Sequence, residues 1–561
     1  MMYFLPQLIL IFWSFHILQR MFFSLYFWQL KEYRIDRFLE GASRNKEIVF
    51  PKVSAFALIL FLIYFISLRF AFLEKYFIVL FFFFYLLFGI RALYLFSRRR
   101  WRFPKMTKKM ILIIILTLFL FWFLVWFIFS NNFKFILIFE IFFSIFIFLC
   151  LRLIETPAFF AKKYIIFKAK QKINKFKDLI VIGIVGSYGK TSTKEFLNAF
   201  LSKKYNVLKT SGNVNTEIGI AGTILQKLKK EHQIFICEMG AYKKGEIKNA
   251  CNIVKPKIGI VTGVNEQHLA LFGSLDNLLS AEGGRELAEI LPKDGILVLN
   301  GDNKYSLGLY KKWVSHSEPT PPSMLNKNIN SLEGGVARFA FKIYSISKNK
   351  INSDIWTEDI MTEKDFISFV VISKNKEMAG FKVDILGKHN VQNILAAILA
   401  AKELGVSFEE ISKACKNIKQ EQAGMTLKKG WKNLNIIDSS YSANPDGVKA
   451  DLEYLNVFPR KKVIVMPCLI ELGGKSKEIH EKIGRNIAKI CDLAIITTKE
   501  RFKDIKKGAM EYGMKEKNIV FCENPNDIYT MITLFCKDGD SILLEGRVPG
   551  KLTNLLVRPV D

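Results

Sequence analysis

The stretch "MILIIILTLFLFWFLVWFIF" (110–129) constrains this chain more than any other, because nineteen apolar residues interrupted only by Thr117 have no place in a water-soluble domain. Five segments of this kind lie before residue 152, at 3–30, 53–73, 76–96, 110–130 and 133–151. As helices, each is long enough to cross about 30 Å of hydrocarbon. The first carries His16 and Arg20, but lacks a short apolar core followed by a small-residue cleavage site. It therefore reads as a retained helix and not a leader. The loops "KEYRIDRFLEGASRNKEIVFPK" and "SRRRWRFPKMTKK" are basic, whereas "EK" and "NNFK" are short. The positive-inside bias puts the first pair in the cytoplasm. An odd number of spans then places the N-terminus outside and everything after residue 151 inside. Glu140 sits within the fifth segment without the repeats or broken helices of a transporter, so it reads first as a buried partner between helices.

Composition agrees with two parts of different kinds. Apolar residues make up 50% of the chain, and many of its 51 Phe precede residue 160. A net charge of +30 is compatible with nucleic acid, but much of the N-terminal excess flanks the apolar runs, which suits a lipid surface. Nucleic acid is therefore not expected as a partner. The eight Cys form no C-x-x-C pair, so neither a zinc ribbon nor a disulfide framework is indicated. Residues 152–178, a basic amphipathic stretch, read as an interfacial connector.

After residue 178 the pattern changes to alternating apolar runs and helical segments. "LIVIGIV", "IFICEM", "IGIVTGV" and "GILVLN" read as buried parallel strands, and "KVIVMP", "LAIITT", "NIVFC" and "SILLEG" form a second series. The expected architecture is a membrane α-helical domain (1–151), the connector (152–178) and two α/β domains. These are a P-loop parallel-sheet central domain (179–427) and a Rossmann-like C-terminal domain (428–561). The segment 303–375 reads as a surface insertion without assigned function.

At "GSYGKTS" (186–192) a strand gives way to a helix. Gly186 and Gly189 allow the backbone N–H groups of Ser187, Tyr188 and their neighbours to point into one hollow, at the positive end of the following helix. Lys190 then reaches outer phosphates, and the hydroxyls of Thr191 and Ser192 lie beside it, that of Thr191 suited to Mg²⁺. Gly is absent from position 184, so this is a variant of the usual loop.

Seven motifs in order carry a family resemblance: "GSYGKTSTKE", "SGNVNTEIGIAGTIL", "CEMGAYKKGEI", "NEQHLALFGSLDNL", "GKHNVQNILAAILAA", "DSSYSANPDGV" and "IELGGKSKEIHEKIG". Together they resemble the Mur ligases, the ATP-dependent amide ligases of cell-wall precursor synthesis, most closely the MurF branch. The resemblance implies ATP and Mg²⁺ as cofactors. It also implies a substrate carboxylate activated as an acyl phosphate, and attack by the amine of an amino acid or dipeptide. By the same resemblance Lys190 and His268 are catalytic, and Thr191, Glu238 and His268 hold metal. Asn213, Asn215, Thr216 and Asn444 contact substrate, and Asn390, Asn393 and Asp438 contact the nucleotide.

Three departures stand out. Membrane helices occupy the place of the family's domain for the UDP of a UDP-sugar. The family's carbamoylated lysine aligns with Gly284, which leaves either Glu282 as a substitute or a second Mg²⁺ held more loosely. The MurF-type arginine is missing from "EQAGMTL", and Cys468 replaces an expected aspartate. These changes suit a muropeptide acceptor that is polyprenyl-linked, although a UDP-linked one held elsewhere remains open. The rival readings are a ligase of another peptide polymer such as poly-γ-glutamate, and a membrane scaffold that keeps an ATP-binding fold.

Overall fold

In the computed structural model the described residues are 5–31, 33, 35, 38–39, 52–67, 73–131, 136–212, 214–315, 339–347, 353–420, 424–440 and 443–557. The chain divides into two compact units, Met1–Lys163 and Tyr164–Asp561.

The first unit is helical: α1 (Leu5–Leu30), α2 (Lys52–Ser67), α3 (Leu73–Ser97), α4 (Lys108–Asn131) and the start of α5 (Ile136–Ile173). Among the described residues, four of these are long and apolar enough to cross a membrane. The described part of the second apolar segment is shorter, and residues 68–72 lie outside the described set. Trp13, Phe81, Tyr85, Phe121 and Phe143 fill the core. The expected connector is continuous with the last apolar segment, since α5 runs through Pro157 without a break. Glu140 is fully buried, as the sequence suggested. It accepts a hydrogen bond from Trp13 Nε1 at 3.1 Å, pairs with the Arg20 guanidinium and lies 3.4 Å from His16 Nε2. A carboxylate in so apolar a place needs such a cation, because desolvating it alone costs several kcal/mol, to order of magnitude.

The second unit holds two sheets. The larger has the order β2-β3-β1-β4-β5-β6-β7-β8-β9, built from β1 (Ile180–Val185), β2 (Val207–Lys209), β3 (Ile234–Glu238), β4 (Ile258–Val261), β5 (Ile296–Asn300), β6 (Ala340–Ser345), β7 (Ile355–Thr362), β8 (Ile367–Ser373) and β9 (Met378–Val383). Its first seven strands pair in parallel, and β7–β9 form an antiparallel extension. The strands expected from the sequence are β1, β3, β4 and β5. Much of 303–375, expected as a surface insertion, instead supplies β6, β7 and β8, whose apolar residues reach the main core; 316–338 and 348–352 lie outside the described residues. Helices α6 (Lys190–Leu201), α7 (Glu217–Lys227) and α8 (Asn390–Glu403) pack on this sheet.

The smaller sheet has the order β10-β11-β15-β12-β13-β14, with β10 (Thr426–Lys429), β11 (Asn435–Ser439), β12 (Lys462–Met466), β13 (Leu493–Ile496), β14 (Ile519–Phe521) and β15 (Ser541–Glu545). Only β10 runs antiparallel, and helices α9 (Pro445–Leu455), α10 (Ser476–Ile490) and α11 (Phe502–Glu511) cover one face. In both sheets, open α/β topology concentrates loops at the carboxyl ends of the strands, where ligands bind. The helices α10 and α11 approach closely through paired glycines. A Cβ on Gly484 would stand 2.1 Å from Ile505 O, and one on Gly508 2.0 Å from Glu481 O. Gly484→Ala is therefore expected to force these helices apart, at a cost of about 1–3 kcal/mol. Faster amide hydrogen exchange confined to 476–511 is the readout.

Candidate active site

The loop 186–189 leaves β1 beside both β3 and β4 and enters α6. Its glycines are required by crowding as well as by backbone angle. Gly186 has φ 141° and a Cβ there would lie 2.2 Å from Thr262 Oγ1. Gly189 has φ 76° and a Cβ there would lie 2.2 Å from Asn393 Oδ1. Lys190 Nζ curls over the loop, donating to Gly186 O at 2.5 Å. Tyr188 contributes backbone only: its ring packs on Gly263 and its hydroxyl accepts from Asn303 Nδ2, with burial pushing the phenol up to about 12. Ser192 lies half-buried in the first turn of α6.

Beside the loop, three of the expected residues meet. Glu238, at the end of β3, is 2% exposed. Its Oε2 accepts from Thr191 Oγ1 at 3.0 Å, and its Oε1 from Asn215 Nδ2 at 3.3 Å. A residue given no role from the sequence completes this group. Lys194, fully buried one turn after Lys190, donates to Glu238 Oε2 at 2.9 Å and to Gly212 O at 2.6 Å. The signal was present in the i, i+4 spacing of Lys190 and Lys194, which puts both on one helix face. Asn213 lies outside the described residues.

A second carboxylate reaches the loop from the other side. Glu282, 2% exposed, takes the Ser187 hydroxyl at 2.6 Å on Oε2 and faces His268 Nδ1 at 2.8 Å with Oε1. Gly284, where the family lysine was expected, cannot hold such a side chain. It caps a short helix at φ 85°, and a Cβ would lie 2.5 Å from Val261 Cγ2. Glu282 is therefore the residue that faces His268.

The remaining expected residues do structural work in this structure. Thr216 caps α7 through Gly219 N. Asn390 and Asn393 are hydrogen-bonded to each other at 3.1 Å, which seats Asn393 against Gly189. Asn444 caps α9 and also accepts from Asn265 Nδ2 at 2.9 Å, joining the two α/β domains across the site. Asp438 is half-buried, which raises its pKa, but Lys428 at 2.8 Å and Ser440 outweigh that and hold it below the ordinary carboxylate range.

Nearby, the fully buried Glu545 at the end of β15 is held well above the ordinary 4.5 by burial, reinforced by Asp451. A raised carboxyl of this kind contributes stability below the unfolded pKa and loses it as pH rises, because the unfolded chain ionises first. Glu545→Gln is thus expected to flatten the fall in stability above pH 4.5, measured as thermal midpoint against pH.

Thr191 and Glu238 offer hard oxygen donors side by side, which fit Mg²⁺. Among the described residues no group of three His, Cys, Asp or Glu could hold a metal. Removing one partner of a buried pair strands the other charge. Lys194→Met is expected to cost roughly 3–5 kcal/mol, and Lys194→Met with Glu238→Gln to recover much of it. Denaturant unfolding of the two variants tests this.

The family models for the Mur ligase middle domain and for the Mur ligase glutamate ligase domain match residues 184–401 and 425–548, together more than half of the chain. The UDP-N-acetylmuramoyl-tripeptide–D-alanyl-D-alanine ligase of Bacillus subtilis is 28% identical over 67% of this chain and 75% of its own length. Its Escherichia coli counterpart is 30% identical over 54% of this chain, which spans only 61% of that relative. Among solved structures, MurF from Acinetobacter baumannii matches with TM-score 0.60 and 23% identity, over 70% of this chain and 80% of that one. MurF ligase from Thermotoga maritima in complex with ADP gives TM-score 0.57 and 23% identity, over 70% and 83%. The chain belongs to the Mur ligase family and is MurF-like within it.

Proposed function

We propose that the protein is a membrane-anchored, MurF-like ligase that uses ATP to form an amide bond in peptidoglycan precursor synthesis. The observation that carries this reading is the meeting of Lys190, Thr191, Glu238 and Lys194 around one glycine-rich loop, within the matched family domains. In the proposed reaction a carboxylate oxygen of the acceptor peptide attacks the γ-phosphorus of ATP. The bond to the β–γ bridging oxygen breaks and ADP leaves. An amine nitrogen then attacks the acyl carbon, the C–O bond to phosphate breaks, and the amine loses a proton as phosphate departs.

Both reactants in the first step are anionic, so the site must concentrate positive charge. Lys190 supplies it at the outer phosphates, and the N-terminus of α6 supplies backbone donors to the loop. Bound Mg²⁺, held by Thr191 and Glu238, would neutralise phosphate charge. Lys194 fixes the Glu238 carboxylate in place, and Glu282 holds His268 in one ring orientation through Nδ1, leaving Nε2 for ligand. A carboxylate encoded in the chain at Glu282 stands in for the family's carbamoylated lysine.

The apolar helices of the first unit support residence in the cytoplasmic membrane, with the α/β domains on the cytoplasmic side where ATP is available. Membrane helices in place of a UDP-binding domain favour a polyprenyl-linked muropeptide as acceptor. The test uses full-length protein in detergent with ATP, Mg²⁺ and D-Ala-D-Ala. Phosphate release and peptide extension are compared for UDP-muramoyl-tripeptide and its polyprenyl-linked form. Extension of the lipid form, reduced roughly a hundredfold or more by Lys190→Ala, is the expected result. Extension of the UDP form alone makes the helices an anchor. Absence of Lys190-dependent turnover on either overturns the ligase reading for these substrates.

A further inference from the structure

The basic loop between α3 and α4 reads in the sequence as a topological signal, yet it is folded into a wall. Arg99 takes φ 53° in a tight turn, after which Trp101 Nε1 donates to Ala92 O at 2.9 Å and the indole packs among Phe22, Phe96 and Phe103. Gln29, near the end of α1, grips the backbone of Lys105 on both sides, at 2.8 Å and 2.6 Å. The result is a cavity of about 290 Å³ between α1, α3 and this loop, lined by His16, Arg20, Arg91, Arg100, Trp101 and Arg102 among others.

The charges in this cavity are unequal. Arg20 is neutralised by Glu140, whereas Arg91, Arg100 and Arg102 are exposed and have no carboxylate partner among the described residues. His16 is 4% exposed, and its Nε2, though near Glu140, has no hydrogen-bond partner of good geometry while it lines the cavity. Three guanidinium groups lining one cavity, with no carboxylate partner among the described residues, point to an anionic ligand with hydrogen-bonding oxygens. Guanidinium forks match phosphate oxygens in pairs.

We propose that this cavity binds the headgroup of a membrane lipid carrying a phosphomonoester or diphosphate. Three positive charges without a carboxylate partner among the described residues suit a ligand with two or more negative charges. The single charge of an ordinary phosphodiester lipid leaves most of them unmatched. The cavity runs from His16 and Arg20, beside Glu140, to Arg100 and Arg102 in the loop after α3, where a headgroup sits if α1–α5 lie in a membrane. Along α3, Phe83, Leu87 and Ile90 present an exposed apolar stripe leading up to Arg91, which gives the lipid chain a path beside its headgroup. The inference depends on the membrane reading of these helices and not on the ligase reading, since binding is measured without ATP.

The experiment titrates the full-length protein in neutral detergent with a fluorescent polyprenyl diphosphate. Phosphatidylglycerol and inorganic pyrophosphate serve as competitors. The triple variant Arg91→Gln, Arg100→Gln, Arg102→Gln removes three cavity charges. Arg98→Gln, Lys105→Gln, Lys108→Gln removes three from the same region outside the cavity. The cavity variant is expected to weaken binding about tenfold or more and the control about twofold or less. Phosphatidylglycerol and pyrophosphate are both expected to compete more weakly than unlabelled diphosphate lipid. Equal losses in the two variants, or phosphatidylglycerol competing as well as the diphosphate lipid, would reduce the loop to general surface attraction and overturn the proposal. Pyrophosphate competing as well as the lipid assigns the cavity to free phosphate and overturns the lipid source.

Discussion

The buried pair of Glu238 and Lys194 organises the nucleotide half of the site. A carboxylate at 2% exposure and an ammonium at 0% are each costly to desolvate, so each fixes the other in place. Glu238 ends a strand whose register is set by β1 and β2, and its own N–H donates to Thr210 Oγ1 at 3.1 Å. Lys194 in turn sets the rotation of α6. Once Lys194 points at Glu238, helical spacing directs Lys190 one turn back toward the loop and leaves Thr191 beside the same carboxylate. Strand, helix and the 210–215 turn are thereby locked around one charge.

The other side of the loop is tied to the C-terminal domain. Ser187 links the loop to Glu282 and thence to His268, while Asn265 reaches across to Asn444 at 2.9 Å and Asp446 at 3.0 Å. Ala270 N donates to Glu471 O at 3.0 Å, and His268 Nε2 lies 3.9 Å from the Glu471 carboxylate. The position of the C-terminal domain is therefore coupled to the same loop that would hold phosphate. A change in charge at the loop has a direct polar route to the domain boundary.

Strands buried on both faces were legible because their runs are continuous and β-branched: β1, β3, β4, β5 and β12 to β15 all show this pattern. The antiparallel extension β7–β9 was not, since its strands are only partly buried, with exposed positions in β7 and β9, amid Lys- and Glu-rich sequence that reads as surface. In the site, residue types with one strong chemical use were legible: Lys190 and Thr191 from the loop pattern, and Glu238 from the family resemblance at the end of a strand. Lys194 was not singled out, because a lysine on a helix is ordinarily solvated, and only the fold shows a carboxylate beneath it. Asn444 and Thr216 show the opposite case, where a short polar residue before a helix serves as a cap whatever else it does.

The distribution of departures from the family follows from what each half of the site must recognise. Phosphate transfer makes the same electrostatic demand whatever the acceptor, so the loop, its lysine and its carboxylate leave little latitude. The acceptor side carries no such uniform demand. In the C-terminal domain Cys468 stands where the resemblance expects an aspartate, and its thiol is packed at 6% exposure with Sγ 3.3 Å from Thr498 O. Burial keeps that thiol above its ordinary pKa and therefore neutral. Where the family resemblance expects a charged group, this chain thus buries a neutral thiol in the core of its C-terminal domain, and it also lacks the expected arginine.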